Sequence, residues 1–110
     1  MTAMKKPVVM NSESSHLFDV MSRVSGEPVE VIIGGGRRRP LPTCRWLVGR
    51  ELMRRGYSAN QAATHIGLNH ATFLHGRFML EVMHTHPKDK YAEERLIERE
   101  FLRAIDSESV

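Results

Sequence analysis

Apolar residues recur at intervals of three and four along most of this chain, the spacing that puts them on one face of an α-helix. Leu17, Val20, Met21 and Val24 follow the serine cluster Ser12, Ser14 and Ser15, and Gly26 can close that helix as its C-terminal cap. Pro28 suits the first turn of a short helix carrying Val29, Ile32 and Ile33; the run VEVII would suit a strand equally, with helix the preferred reading, and Gly34-Gly35-Gly36 ends either. Pro40 and Pro42 stiffen the approach to a longer helix with Cys44, Leu47, Val48 and Leu52 inward, and Gly56 stops it.

Ser58-Ala59-Asn60-Gln61 has the form of a capping box, in which the serine hydroxyl and the glutamine side chain satisfy free backbone amides at a helix start. A short helix to Ile66 follows, then a tight turn at Gly67-Leu68-Asn69. A longer helix begins near His70 with Phe73, Leu80 and Met83 on one side. Pro87 separates it from a last helix whose apolar stripe is Ile97, Phe101, Ala104 and Ile105, with Glu93, Glu94, Glu98, Arg99 and Arg103 mostly elsewhere around it. The expectation is an all-α chain of five to six helices without an internal repeat. Residues 1–13 are expected as a disordered tail, residues 14–86 as a helix-turn-helix domain, and residues 87–110 as a C-terminal helix that packs on the domain or on a partner, including a second copy.

Length and composition fit this picture. At 110 residues the chain suits one core. With 41% hydrophobic and 26% charged residues it falls in the globular range, and no apolar run approaches the roughly 18 residues of a membrane span. No membrane association is expected. The opening apolar run is too short for a signal peptide, and the lone Cys44 cannot form an internal disulfide or a thiolate metal cluster, so a cytoplasmic protein is expected. Charge is unevenly distributed. Residues 37–80 hold eight basic side chains against Glu51 alone, while both flanks are net acidic. A field concentrated in this way points to a polyanion, with nucleic acid the leading partner.

The segment from Ala59 to Gly76 has the spacing of a helix-turn-helix. Ala63 lets the second helix approach closely, Gly67 can take the left-handed conformation of the turn, and Ile66, Leu68 and Phe73 fill the joint. Asn69, His70, Ala71, Thr72 and His75 then fall on the outer, N-terminal part of the second helix, the part that reaches base edges in the major groove.

The run from His16 to Met83 resembles the C-terminal DNA-binding domain (domain IV) of the bacterial replication initiator DnaA, a Trp-repressor-like helix-turn-helix, over roughly two-thirds of the chain. SRVSGEPVEVII is similar to that domain's opening helices, RRRPLPTCRWLVGRELMRR to its basic loop and long helix, and HATFLHG to its recognition motif. The resemblance implies double-stranded DNA binding in replication-related or transcriptional regulation. It implies a minor-groove arginine at Arg39, DNA contacts from His70 and Thr72, and a later motif histidine at His75. Asn69 stands where the family usually has an acidic residue, Ala71 replaces a threonine, and the turn is shorter. Asn69 would favour adenine and Ala71 could meet only a thymine methyl, so base preference is expected to differ from a DnaA box.

Other readings stand beside these. Arg37, Arg38 and Arg39 suit an arm along phosphates or in a narrow minor groove, but also a solvated loop. Arg45 suits a phosphate contact more than Arg50, Arg54 or Arg55. The glycine triplet lacks the lysine of a phosphate-binding P-loop, and His70 and His75, five residues apart, do not share one helix face as a metal pair would. No metal and no cofactor are expected. His65 is expected at a helix crossing or in solvent, His84 and His86 at a loop end, and Trp46 and Phe78 in the core in preference to a partly exposed place at a partner surface. No arrangement of nucleophile, base and acid supports an enzyme. The alternative to DNA binding is a protein-interaction adaptor that kept the fold and lost the readout.

Overall fold

In a computed structural model the described residues, 10–85 and 88–108, form an all-helical globule. Its elements are α1 (Ser12–Ser25), α2 (Val29–Ile32), α3 (Leu41–Arg54), α4 (Ala59–His65), α5 (His70–Thr85), a 3-10 turn (Lys88–Tyr91) and α6 (Ala92–Glu108). The upper end of the expected helix number is met, and VEVI is helical. Pro28 serves as the N-cap of α2 rather than its first residue.

The chain enters the fold earlier than expected. Asn11 caps α1: its Oδ1 accepts the Ser14 N–H at 2.8 Å while the Ser14 hydroxyl accepts the Asn11 N–H at 3.0 Å. Residues 11–13 thus belong to the domain rather than to a tail. The remainder of that expectation, residues 1–9, lies outside the described residues, as do the expected break at Pro87 and the loop histidine His86.

Helix α1 buries Leu17, Phe18, Val20 and Met21, and Gly26 ends it at φ 81°. Helix α3 lies at the centre, in contact with α1, α2, α4, α5 and α6, with Cys44, Leu47, Val48 and Leu52 fully inside. Burial pushes the Cys44 thiol up to about 11, so it is inert packing rather than a nucleophile. Where α3 meets the helix-turn-helix, Gly49 is obligatory. A Cβ there would lie 2.5 Å from Phe73 Cε1 and 2.8 Å from Ile66 Cδ1, well inside contact distance.

Helix α6 lies back on its own chain. Ile97, Phe101 and Ile105 are buried, mainly against α1, with α3 and α5 also in reach. Burying a side chain such as Phe101 contributes about 2 kcal/mol. The apolar stripe expected to dock on the domain or pair with a second copy is therefore already covered by this chain.

Candidate nucleic-acid interface

The helix-turn-helix is built from local signals. Ser58 and Gln61 exchange hydrogen bonds of 2.8 and 3.1 Å at the start of α4, Ala62 and Ala63 are buried under α3, and Gly67 makes the turn at φ 77°. Leu68 is half-buried against the core, and Phe73 and Ile66 are fully buried. His70, Ala71, Thr72 and His75 are all exposed on the first turns of α5.

Asn69 has a different place from the one expected. Its Oδ1 accepts the Thr72 N–H at 2.7 Å, and its carbonyl accepts the Phe73 N–H at 3.0 Å. It is the N-cap of α5, and its amide oxygen is engaged by the helix. The side chain expected to read a base therefore also holds the start of the helix.

Facing the start of α5 across an open groove is the basic loop. Gly34, Gly35 and Arg37 of the loop, Trp46 of α3, and Asn69, Thr72 and His75 all line this groove. The Trp46 ring meets His75 edge-on, with centroids 6.4 Å apart and planes at 88°. Trp46 is half-buried rather than a core residue.

The arginines of the basic segment are mostly engaged by acids that lie far away in sequence. Arg38 makes two bonds to Glu27, at 3.2 and 2.9 Å. Arg39 grips Glu94 of α6 through Nε at 2.6 Å and Nη2 at 3.0 Å, donates also to the Lys90 carbonyl, and lies 4.9 Å from the centroid of the Tyr91 ring. Glu94 is 2% exposed. Arg50 pairs with Glu98 at 2.7 Å; Arg54 and Arg55 share the buried Glu51, and Arg55 also reaches Glu13 at 3.1 Å. Arg37 is exposed and has no ion-pair partner among the described residues.

Arg45, expected on the surface, is 5% exposed. Its Nη1 donates to the Ile32 carbonyl at 2.8 Å and its Nη2 to the Gly36 carbonyl at 2.6 Å, so it ties the end of α2 and the glycine joint to α3. No carboxylate among the described residues neutralises it, its Nε has no hydrogen-bond partner, and burial lowers its pKa. A guanidinium stays charged even when buried, and Arg45 lines the groove.

No family model, curated protein or solved structure matches this chain.

Three further histidines, His16, His65 and His84, each have a side-chain partner. His65 lies 3.2 Å from the Ser14 hydroxyl and edge-on to Tyr57, His84 pairs with Glu98 at 2.7 Å at the end of α5, and His16 pairs with Glu108 at 2.8 Å. Among the described residues no group of three His, Cys, Asp or Glu side chains could hold a metal ion. Two apolar residues on α5 were missed or misplaced in sequence. Leu74 is 41% exposed, and Phe78, expected in the core, is 62% exposed. The signal was available: residues 71, 74, 75 and 78 fall opposite the buried 73, 76, 80 and 83 on a helical wheel.

Proposed function

We propose that this chain binds double-stranded DNA, with the first turns of α5 in the major groove and the basic loop against the backbone or minor groove. The observation that carries the reading is the exposure of His70, Ala71, Thr72 and His75 on the first turns of α5, with Thr72 and His75 lining the same groove as Arg37 and Arg45. His70 and Thr72 are the readers, Ala71 and Leu74 offer apolar contact to thymine methyls, and Asn69 fixes the helix start. Sequence-specific binding of this kind suits a role in replication-related or transcriptional regulation. Fluorescence-anisotropy titration of a short mixed-sequence duplex over a salt series tests it, followed by selection of preferred sequences. Affinity should fall steeply with salt, and His70→Ala should relax the selected motif. Binding that is absent at low salt removes the reading.

A second reading is a protein-interaction adaptor. The exposed Phe78 and Leu74 on the same helix favour it, as does the engagement of most arginines by acidic side chains. A partner retained after nuclease treatment and lost in Phe78→Ser would support it over DNA binding.

A further inference from the structure

We infer that Arg37, not Arg39, is the arginine of the basic loop that meets a DNA phosphate, and that the groove between this loop and the start of α5 seats that phosphate above Arg45. The inference rests on the DNA-binding reading and deepens it, because it separates three adjacent arginines that look equivalent in sequence.

The separation comes from their partners. Arg39 presents Nε and Nη2 to the two oxygens of Glu94, the same edge of the guanidinium that would grip a phosphate bidentately. To take a phosphate in that way it would have to leave a carboxylate that is 2% exposed, abandoning a charge in the interior. It would also forfeit the Lys90 carbonyl and the face of Tyr91. Arg39 is a latch between the basic loop and α6. Arg38 holds Glu27 through two bonds. Among the described residues Arg37 has no ion pair to release, and it lines the same groove as Thr72 and His75.

The groove itself calls for an anion. Arg45 in its lining is a buried guanidinium with no carboxylate partner among the described residues and with an unpartnered Nε. The first turn of α5, a 16-residue helix, opens beside it, where amide dipoles also favour negative charge. A phosphodiester placed there would meet Arg37 directly and would be attracted by the Arg45 charge beneath it. It would lie between the loop and the helix face that carries the proposed readers.

The experiment compares the salt dependence of duplex affinity for the full chain, for Arg37→Ala, and for the double variant Arg39→Gln with Glu94→Gln. The double variant removes the buried pair together, leaves net charge unchanged, and avoids stranding Glu94. Thermal melts and circular dichroism check that each variant is folded. The expected result is that Arg37→Ala lowers the slope of log affinity against log salt by about one and weakens binding several-fold, while the double variant keeps the parental slope. A parental slope in Arg37→Ala overturns the inference. So does a slope lowered by the double variant, since Arg39 would then also hold a phosphate. In either case the unmodified chain still binds DNA. Failure of the unmodified chain to show salt-dependent binding instead removes the DNA reading and the inference with it.

Discussion

The indole of Trp46 occupies the space that a side chain on Gly76 would need: a Cβ at residue 76 would lie 2.3 Å from both Trp46 Cδ1 and Trp46 Nε1. This close approach fixes how α3 crosses α5 and so how far the exposed face of α5 stands from the basic loop. In an open helix Gly→Ala is favourable by about 1 kcal/mol. Here the sign should reverse, with Gly76→Ala destabilising by about 1–3 kcal/mol in urea denaturation, because the added methyl overpacks the crossing. A variant more stable than the parent would show that the indole yields freely.

Arg39 and Glu94 should behave as a buried pair with one wet partner. Removing a partner from a fully buried pair costs about 3–5 kcal/mol. The Arg39 side chain is 52% exposed, so Arg39→Ala should cost less, about 1–3 kcal/mol. Hydrogen exchange should rise first in residues 90–97, where α6 begins.

The same pair sets a pH dependence. Burial alone would raise the Glu94 carboxyl, yet hydrogen bonds from Arg39 and from its own backbone N–H hold it below the ordinary 4.5. Glu51, also pushed up by burial, is held down by Arg54 and Arg55. A carboxyl whose folded pKa is depressed binds fewer protons than in the unfolded chain. Its stabilisation is complete above about 4.5 and is lost as pH falls through the lower folded values. Chemical denaturation over pH 6 to about 3 should show stability falling on the acid side, and Arg39→Ala should remove part of that slope.

Capping and reading can be separated at Asn69. Asn69→Ala should cost about 1 kcal/mol by freeing the Thr72 amide, whereas Asn69→Asp should keep the melting temperature, because aspartate caps equally well and its charge suits a helix start. Equal losses in both variants would show that the side-chain amide group matters beyond the cap.

Arg45→Ala should act on the loop before it acts on any ligand. Two carbonyls, of Ile32 and Gly36, lose a charged donor, which should destabilise by about 2 kcal/mol and speed amide exchange in residues 33–37. Phe78→Ser, by contrast, should leave stability within about 0.5 kcal/mol, since that ring is 62% exposed. A large loss there would mean that Phe78 supports the fold in a way its exposure does not reveal.

The helix starts and stops were legible because their chemistry is local. Ser58 with Gln61, Gly26 and Gly67 act on backbone groups within a few residues, so the capping box and both left-handed glycines are found where the sequence puts them. The inward faces of α3 and α6 were legible for a similar reason, since helical spacing alone separates Leu47 and Leu52, or Phe101 and Ile105, from solvent. Asn69 is instructive. Its position before a helix allowed a cap as readily as a base contact, and the Thr72 bond is what shows the cap.

Sequence by itself determined an all-helical chain with a helix-turn-helix spacing and a basic middle, because helical periodicity, capping and local charge are short-range properties. Tertiary structure decided what each basic residue is available for. Arg39 and Glu94 are 55 residues apart, Arg50 and Glu98 are 48 apart, and no local pattern announces either pair. Whether a cation faces solvent, an acid or a carbonyl depends on which helix folds across it, and that is settled only when α6 closes over α1, α3 and α5.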